Sequence, residues 1–153
     1  MSARERLLAL LIDRSYQKRD VILASGRPSN FFIDCKQTIL SAEGHALIGE
    51  LMLREVRRLE GPIVAVAGVE LGGCPLASAV AVESFRAAGG APLDAIYVRK
   101  EVKDHGSKRQ LEGNDRLPKG SRVVILEDVI TTGGSTLRSA EKLKAGGYEV
   151  AAV

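Results

Sequence analysis

Apolar residues recur along this chain at two spacings, and each predicts its own kind of element. Over 3–16, Leu7, Leu8, Leu11 and Ile12 fall at helical spacing among Arg4, Glu5, Asp13 and Arg14, which predicts an amphipathic helix. Val21, Ile22 and Leu23 make a short strand over 20–24, stopped by Ser25 and Gly26. Arg27, Pro28 and Ser29 predict a turn, and 30–34 a second strand, so the pair reads as a β-hairpin. Ser41 opens a helix that runs to about 59 and buries Leu47, Ile48, Leu51, Met52 and Val56, with His45 as a structural residue. Pro62 precedes a buried strand over 63–67, a glycine loop from Gly68 to Gly73, and a helix over 75–88. A strand over 93–98 follows. Val123, Val124, Ile125 and Leu126 predict a last strand buried on both faces, and the sequence turns helical again at Leu137. Strand and helix alternating at this spacing predict an α/β fold with a parallel sheet flanked by helices. Right-handed crossovers then bring the loops after 63–67, 93–98 and 123–126 to one edge, where ligands of such sheets sit.

Composition narrows this picture without redirecting it. A chain of 153 residues predicts one domain. Hydrophobic residues at 45% and charged residues at 27% are ordinary for a globular chain, and aromatics at 4% require an aliphatic core. The net charge of +3 is too small to argue for nucleic acid, and no aromatics interleave with the basic residues as a stacking platform needs. Cys35 and Cys74 lack metal-type spacing and read as idle thiols of a reducing cytoplasm. No apolar run suggests a leader or a membrane span of ~18 residues.

Chemistry concentrates in Glu127, Asp128, Val129, Ile130, Thr131, Thr132, Gly133, Gly134, Ser135 and Thr136. Small residues between a strand and a helix start let the backbone approach an anion, which the free N–H groups and positive dipole end of the helix attract. Thr131, Thr132, Ser135 and Thr136 add hydroxyl donors. Carboxylates beside a phosphate repel it unless they meet something else, and Glu127 and Asp128 suit ribose hydroxyls or Mg²⁺. The segment therefore reads as a site for a phosphorylated sugar, against the plainer reading of a Gly-Gly turn beside a solvated acidic pair. No Gly-Lys-Ser/Thr follows, so it is not a Walker loop. The Gly68 to Gly73 loop is open between a second anion site and a structural turn. After the strand over 93–98, Arg99, Lys100, Lys103 and His105 put four positive groups within seven positions of a long polar segment. They suit a pyrophosphate, or form a solvated charged loop. Phe31 and Phe32 alternate along their strand, so one can enter the core while the other faces a ligand, or both can pack among apolar residues.

The segment from Val123 to Thr136 resembles the phosphoribosyl-pyrophosphate motif of the type I phosphoribosyltransferases along its whole length. Arg99-Lys100-x-x-Lys103-x-His105-Gly106 resembles the catalytic loop of the orotate phosphoribosyltransferases within them. Ser25-Gly26-Arg27-Pro28-Ser29-Asn30-Phe31-Phe32-Ile33-Asp34 is similar to a segment of the same family, as is the stretch from Gly68 to Pro75-Leu76-Ala77. This resemblance implies a type I phosphoribosyltransferase-like sheet with a small N-terminal hood containing the hairpin. It implies transfer of ribose 5-phosphate from phosphoribosyl pyrophosphate to N1 of orotate, with Mg²⁺, in pyrimidine biosynthesis. Thr131, Thr132, Gly133, Gly134 and Ser135 would hold the 5-phosphate, with Val129 and Ile130 in the same loop. Glu127 and Asp128 would hold the ribose hydroxyls, and Arg99, Lys100, Lys103 and His105 the pyrophosphate. Thr131, Phe31 and Phe32 would meet orotate, and Lys103 and Asp128 would be catalytic. No residue is assigned to the metal. The resemblance further implies a cytoplasmic homodimer that shares the basic loop.

Three departures accompany it. The family often has Lys where Ala24 stands and Tyr-Lys where Leu71 and Gly72 stand, so Lys108 or Arg109 is the candidate substitute. The family also continues beyond this point with a strand carrying an Asp-Arg pair whose Arg binds orotate. The sequence stops over 149–153 at what reads as the start of that strand, so the rest of the C-terminal strand and the tail read as absent, by truncation or as an incomplete orotate side. Transfer to another base, or nucleotide sensing without catalysis, are the alternatives.

Overall fold

The computed structural model describes residues 1–23, 26–100 and 109–153. Ala24, Ser25, Lys103, His105 and Lys108, and the roles expected of them, lie outside the described residues.

The chain opens with α1 (Ala3–Leu10), started by a reciprocal cap in which the Ser2 hydroxyl and the Glu5 carboxylate each accept the other's backbone N–H. A π-helical turn (Leu11–Ser15) continues it and delivers the chain to β1 (Tyr16–Gln17). The expected helix over 3–16 is thus α-helical only in its first part. The expected stripe is also displaced: Leu8 and Ile12 are 56% and 59% exposed, while Leu10 and Ser15 are buried. The wider π turn rotates the later residues off the 3.6-residue repeat. It leaves Ser15 facing Thr38, whose hydroxyl lies 2.7 Å from that of Ser15 and donates to the Leu10 carbonyl at 3.2 Å.

The hood follows. β2 (Val21–Ile22) pairs antiparallel with β3 (Pro28–Ser29), and β4 (Phe32–Ile33) pairs antiparallel with β1. A hairpin is therefore present, but its second strand is the segment expected as the turn, and 32–33 pairs with the end of the expected first helix. Pro28 is tolerated because a two-stranded ladder leaves its nitrogen on an edge.

α2 (Lys36–Ile39) leads to α3 (Ala42–Val56), capped by the Ser41 hydroxyl on the Gly44 N–H. Then come β5 (Ala65–Val69), α4 (Gly73–Arg86), β6 (Asp94–Val98), β7 (Leu111–Glu112), β8 (Arg122–Leu126), α5 (Gly134–Ala145) and β9 (Glu149–Ala152). The sheet order is β7-β6-β5-β8-β9. β6, β5, β8 and β9 run parallel, and β7 is an antiparallel edge that the expected polar loop conceals. β5 lies two residues later than its apolar run suggested, so Gly68 and Val69 belong to the strand.

Each face of the sheet has its own aliphatic core. Val66, Val124 and Leu126 pack with Ile39, Leu53, Leu76 and Val80 from α2, α3 and α4. Ala65, Ala67, Ile96, Val123 and Ile125 pack with Leu143 of α5 and with Tyr148. Adjacent strand residues supply opposite cores, as the pleat requires. The carboxyl ends of β5, β6 and β8 consequently share one edge.

Candidate active site

β8 delivers Glu127 and Asp128 to that edge, and α5 starts seven residues after Glu127. Gly133 precedes α5 with φ +76°, a left-handed conformation that suits glycine, and no side chain caps the helix there. Helix geometry leaves the N–H groups of Gly134, Ser135 and Thr136 without intrahelical partners, at the positive end of the dipole. Val129, Ile130, Thr131 and Thr132 are exposed around them, and Gly134 and Ser135 are half-buried. The Thr136 hydroxyl is buried and has no hydrogen-bond partner among the described residues. An anion fits this end of α5 on backbone geometry alone.

The acidic pair is half-buried beside it. Burial, and then the neighbouring Asp128, push the Glu127 carboxyl from its ordinary 4.5 up to about 7. A 3.4 Å hydrogen bond from the Ser135 hydroxyl to Glu127 Oε2 acts in the opposite direction. The Asp128 carboxylate lies directly against Gly72 in the loop between β5 and α4, where a Cβ would collide with it. That contact gives a physical reason for glycine at this position. The peptide bond between Glu70 and Leu71, just before it, is cis.

Lys36 pairs with Asp34 at 2.7 Å. Its ammonium is raised first by that hydrogen bond and further by the charge of Asp128. Both cysteines are free. Burial raises the Cys74 thiol to about 11 and also raises Cys35, so neither is an activated nucleophile.

The basic segment starts at the end of β6. Arg99 donates from Nη1 to Glu112 of β7 at 3.2 Å, and its side chain is 19% exposed. Lys100 is exposed, and its backbone N–H donates to Glu70 Oε2 at 2.9 Å. The Arg99 N–H donates to the Gln110 carbonyl at 2.9 Å, which joins the two ends of the segment. Lys142 of α5 donates to the Arg99 carbonyl at 2.6 Å and to the Lys100 carbonyl at 2.9 Å. Arg109, a candidate substitute for the absent cations, forms a two-oxygen pair with Asp115 at 2.8 Å.

Phe31 and Phe32 both lie in the hood, and neither joins a core. Phe31 is 44% exposed and stacks on Tyr16 with ring centroids 6.0 Å apart, while the Arg19 guanidinium sits 5.1 Å over Phe32. Of the two readings open for the pair, one Phe in the core or both packed among apolar residues, the structure shows neither: Phe31 precedes the two-residue strand, so strict alternation does not govern the pair.

Sequence reasoning brought the Gly68 to Gly73 loop to this edge without giving Glu70 or Gly72 a role of its own, and it had no signal for Glu112 or Lys142. Among the described residues no three His, Cys, Asp or Glu side chains form a metal site. Glu127 and Asp128 are hard oxygen donors of the kind that suit Mg²⁺. No helix among the described residues is long and apolar enough to cross a membrane.

Residues 37–153 match the family model described as "Phosphoribosyl transferase domain". The orotate phosphoribosyltransferase of Sorangium cellulosum is 61% identical over 152 residues, 99% of this chain and 78% of that protein. The crystal structure of Mycobacterium tuberculosis orotate phosphoribosyltransferase in complex with Fe(III) dicitrate matches with a TM-score of 0.77 and 36% identity, covering 97% of this chain and 80% of the other. The same enzyme in complex with 5-phospho-α-D-ribosyl 1-diphosphate matches with a TM-score of 0.72 and 33% identity, covering 97% and 78%.

Proposed function

This chain belongs to the phosphoribosyl transferase domain family, and from that premise we propose that it is an orotate phosphoribosyltransferase of pyrimidine biosynthesis. One observation carries the reading. A half-buried acidic pair and an uncapped helix start occupy a single segment at the sheet edge where Arg99 and Lys100 also arrive.

In this reading the start of α5 takes the 5-phosphate of phosphoribosyl pyrophosphate on backbone N–H groups and on the hydroxyls of Thr131, Thr132 and Ser135. Glu127 and Asp128 accept hydrogen bonds from the ribose hydroxyls. They also place negative charge beside the anomeric carbon, which becomes positive as its bond to pyrophosphate breaks. Arg99, Lys100, Lys103 and His105 receive the negative charge that collects on the departing pyrophosphate. Thr131, Phe31 and Phe32 face orotate, whose N1 bonds the anomeric carbon as the bond to pyrophosphate breaks, its N–H proton passing to the departing pyrophosphate or to water. Mg²⁺, bound with the substrate, supplies further neutralisation of the leaving group. Glu127 must be ionised to act only as an acceptor, so its raised carboxyl ties substrate affinity to pH.

The chain acts as one domain over residues 1–153, and a homodimer in which part of the basic segment completes the neighbouring site belongs to the same proposal. Two free thiols fit a reducing compartment, and the cytoplasm is the proposed location. The test is the variant Lys103→Ala. Turnover of orotate with phosphoribosyl pyrophosphate and Mg²⁺ is expected to vanish while phosphoribosyl pyrophosphate still raises Tm. A Tm that does not respond to phosphoribosyl pyrophosphate in either protein would contradict the assignment of the sugar-phosphate site.

A further inference from the structure

Helix α5 meets the candidate site twice. Its first residues form the anion cradle, and about 12 Å further along its axis, at a rise of about 1.5 Å per residue, Lys142 reaches the base of the basic segment. A lysine in the last turn of a helix ordinarily stays in water or bonds the carbonyls of its own helix end. Lys142 instead donates to two consecutive carbonyls at the end of β6, Arg99 O at 2.6 Å and Lys100 O at 2.9 Å. Both are charge-assisted bonds of good length.

The same two residues are restrained from other directions. Glu70 holds the Lys100 N–H, Gln110 O holds the Arg99 N–H, and Glu112 holds the Arg99 guanidinium. Lys142 is the member of this set that comes from the phosphate-binding helix. Holding long side chains near a polyanion demands a fixed backbone beneath them, and a small displacement there costs far more in transition-state contacts than in stability.

We propose that Lys142 is a positioning residue: by holding the Arg99 and Lys100 carbonyls it fixes the pyrophosphate side of the site relative to the 5-phosphate cradle on the same helix. This rests on the function proposed above. It predicts that the two ends of phosphoribosyl pyrophosphate are gripped by elements joined through one helix, so that losing the tie is felt at this substrate and not at orotate.

The experiment compares the full chain with Lys142→Met, which keeps the apolar stem, and with Lys142→Arg, which restores a donor. The expected result is a KM for phosphoribosyl pyrophosphate raised roughly five- to fiftyfold in Lys142→Met. The KM for orotate and the Tm should stay near the parent's, and Lys142→Arg should recover most of the loss. An unchanged KM would overturn the proposal. So would a fall in Tm with both KM values rising together, which marks a merely structural tie. If the parent chain fails to turn over orotate, the functional reading fails separately, and calorimetric titration with Mg²⁺ and inorganic pyrophosphate decides. Weaker binding in Lys142→Met restored in Lys142→Arg then supports the role, and equal or absent binding overturns it.

Discussion

Replacing Glu127 by Gln should stabilise the protein, and only above acidic pH. The Glu127 carboxyl is raised from 4.5 to about 7, chiefly by burial and then by Asp128. Below 4.5 the folded and unfolded chains both hold the proton, and the group contributes nothing. Between 4.5 and 7 the unfolded chain loses the proton first, so stability falls as pH rises through that window and stays lowered above it. Each tenfold change in proton affinity is worth ~1.4 kcal/mol, which sets a ceiling of ~3 kcal/mol for a sealed group. Glu127 is partly open to solvent, and screening reduces the expected cost to ~1 kcal/mol. In a chain of this size that is a Tm difference of roughly 2–4 °C. Thermal unfolding of parent and Glu127→Gln at pH 4.5 and pH 8.5 measures it. The two proteins should melt together at the lower pH, and the variant should melt later at the higher pH while losing affinity for phosphoribosyl pyrophosphate. A gap independent of pH, or a variant less stable at pH 8.5, would refute the reasoning.

Gly72 has ordinary helical dihedrals, φ −69° and ψ −30°, so Gly72→Ala tests the contact with Asp128 without backbone strain. It should displace that carboxylate and raise the KM for phosphoribosyl pyrophosphate severalfold, and steady-state kinetics indistinguishable from the parent's would contradict the packing. Leu143→Ala empties a fully buried position in the core under α5 and should cost ~2–5 kcal/mol in urea unfolding. Thr38→Val leaves the buried Ser15 hydroxyl and the Leu10 carbonyl without this partner, which should cost ~1–3 kcal/mol in the same assay.

The centre of the sheet was legible because β5 and β8 are buried on both faces, and runs such as Val123 to Leu126 have no other use for consecutive β-branched residues. The acidic pair and the helix start of the proposed cradle were legible because the acids, glycines and hydroxyls are contiguous. The hood was read less well, since strands of two residues leave no period to detect, and the pairing of 16–17 with 32–33 depends on a π turn that the pattern does not mark. β7 is likewise two residues long and lies inside a polar segment. Lys142 and Glu112 could not be found from sequence because their partners, backbone carbonyls and a guanidinium, are chosen by the packing of α5 and β7 against the end of β6.

The central claim is that this sugar-phosphate site transfers its ribose to orotate. The direct measurement follows the fall in orotate absorbance with phosphoribosyl pyrophosphate and Mg²⁺, beside parallel assays with uracil, hypoxanthine and adenine. The account predicts turnover with orotate alone, lost in Asp128→Asn. Transfer to another base in preference to orotate would contradict it, as would no transfer to any base together with a Tm unmoved by phosphoribosyl pyrophosphate.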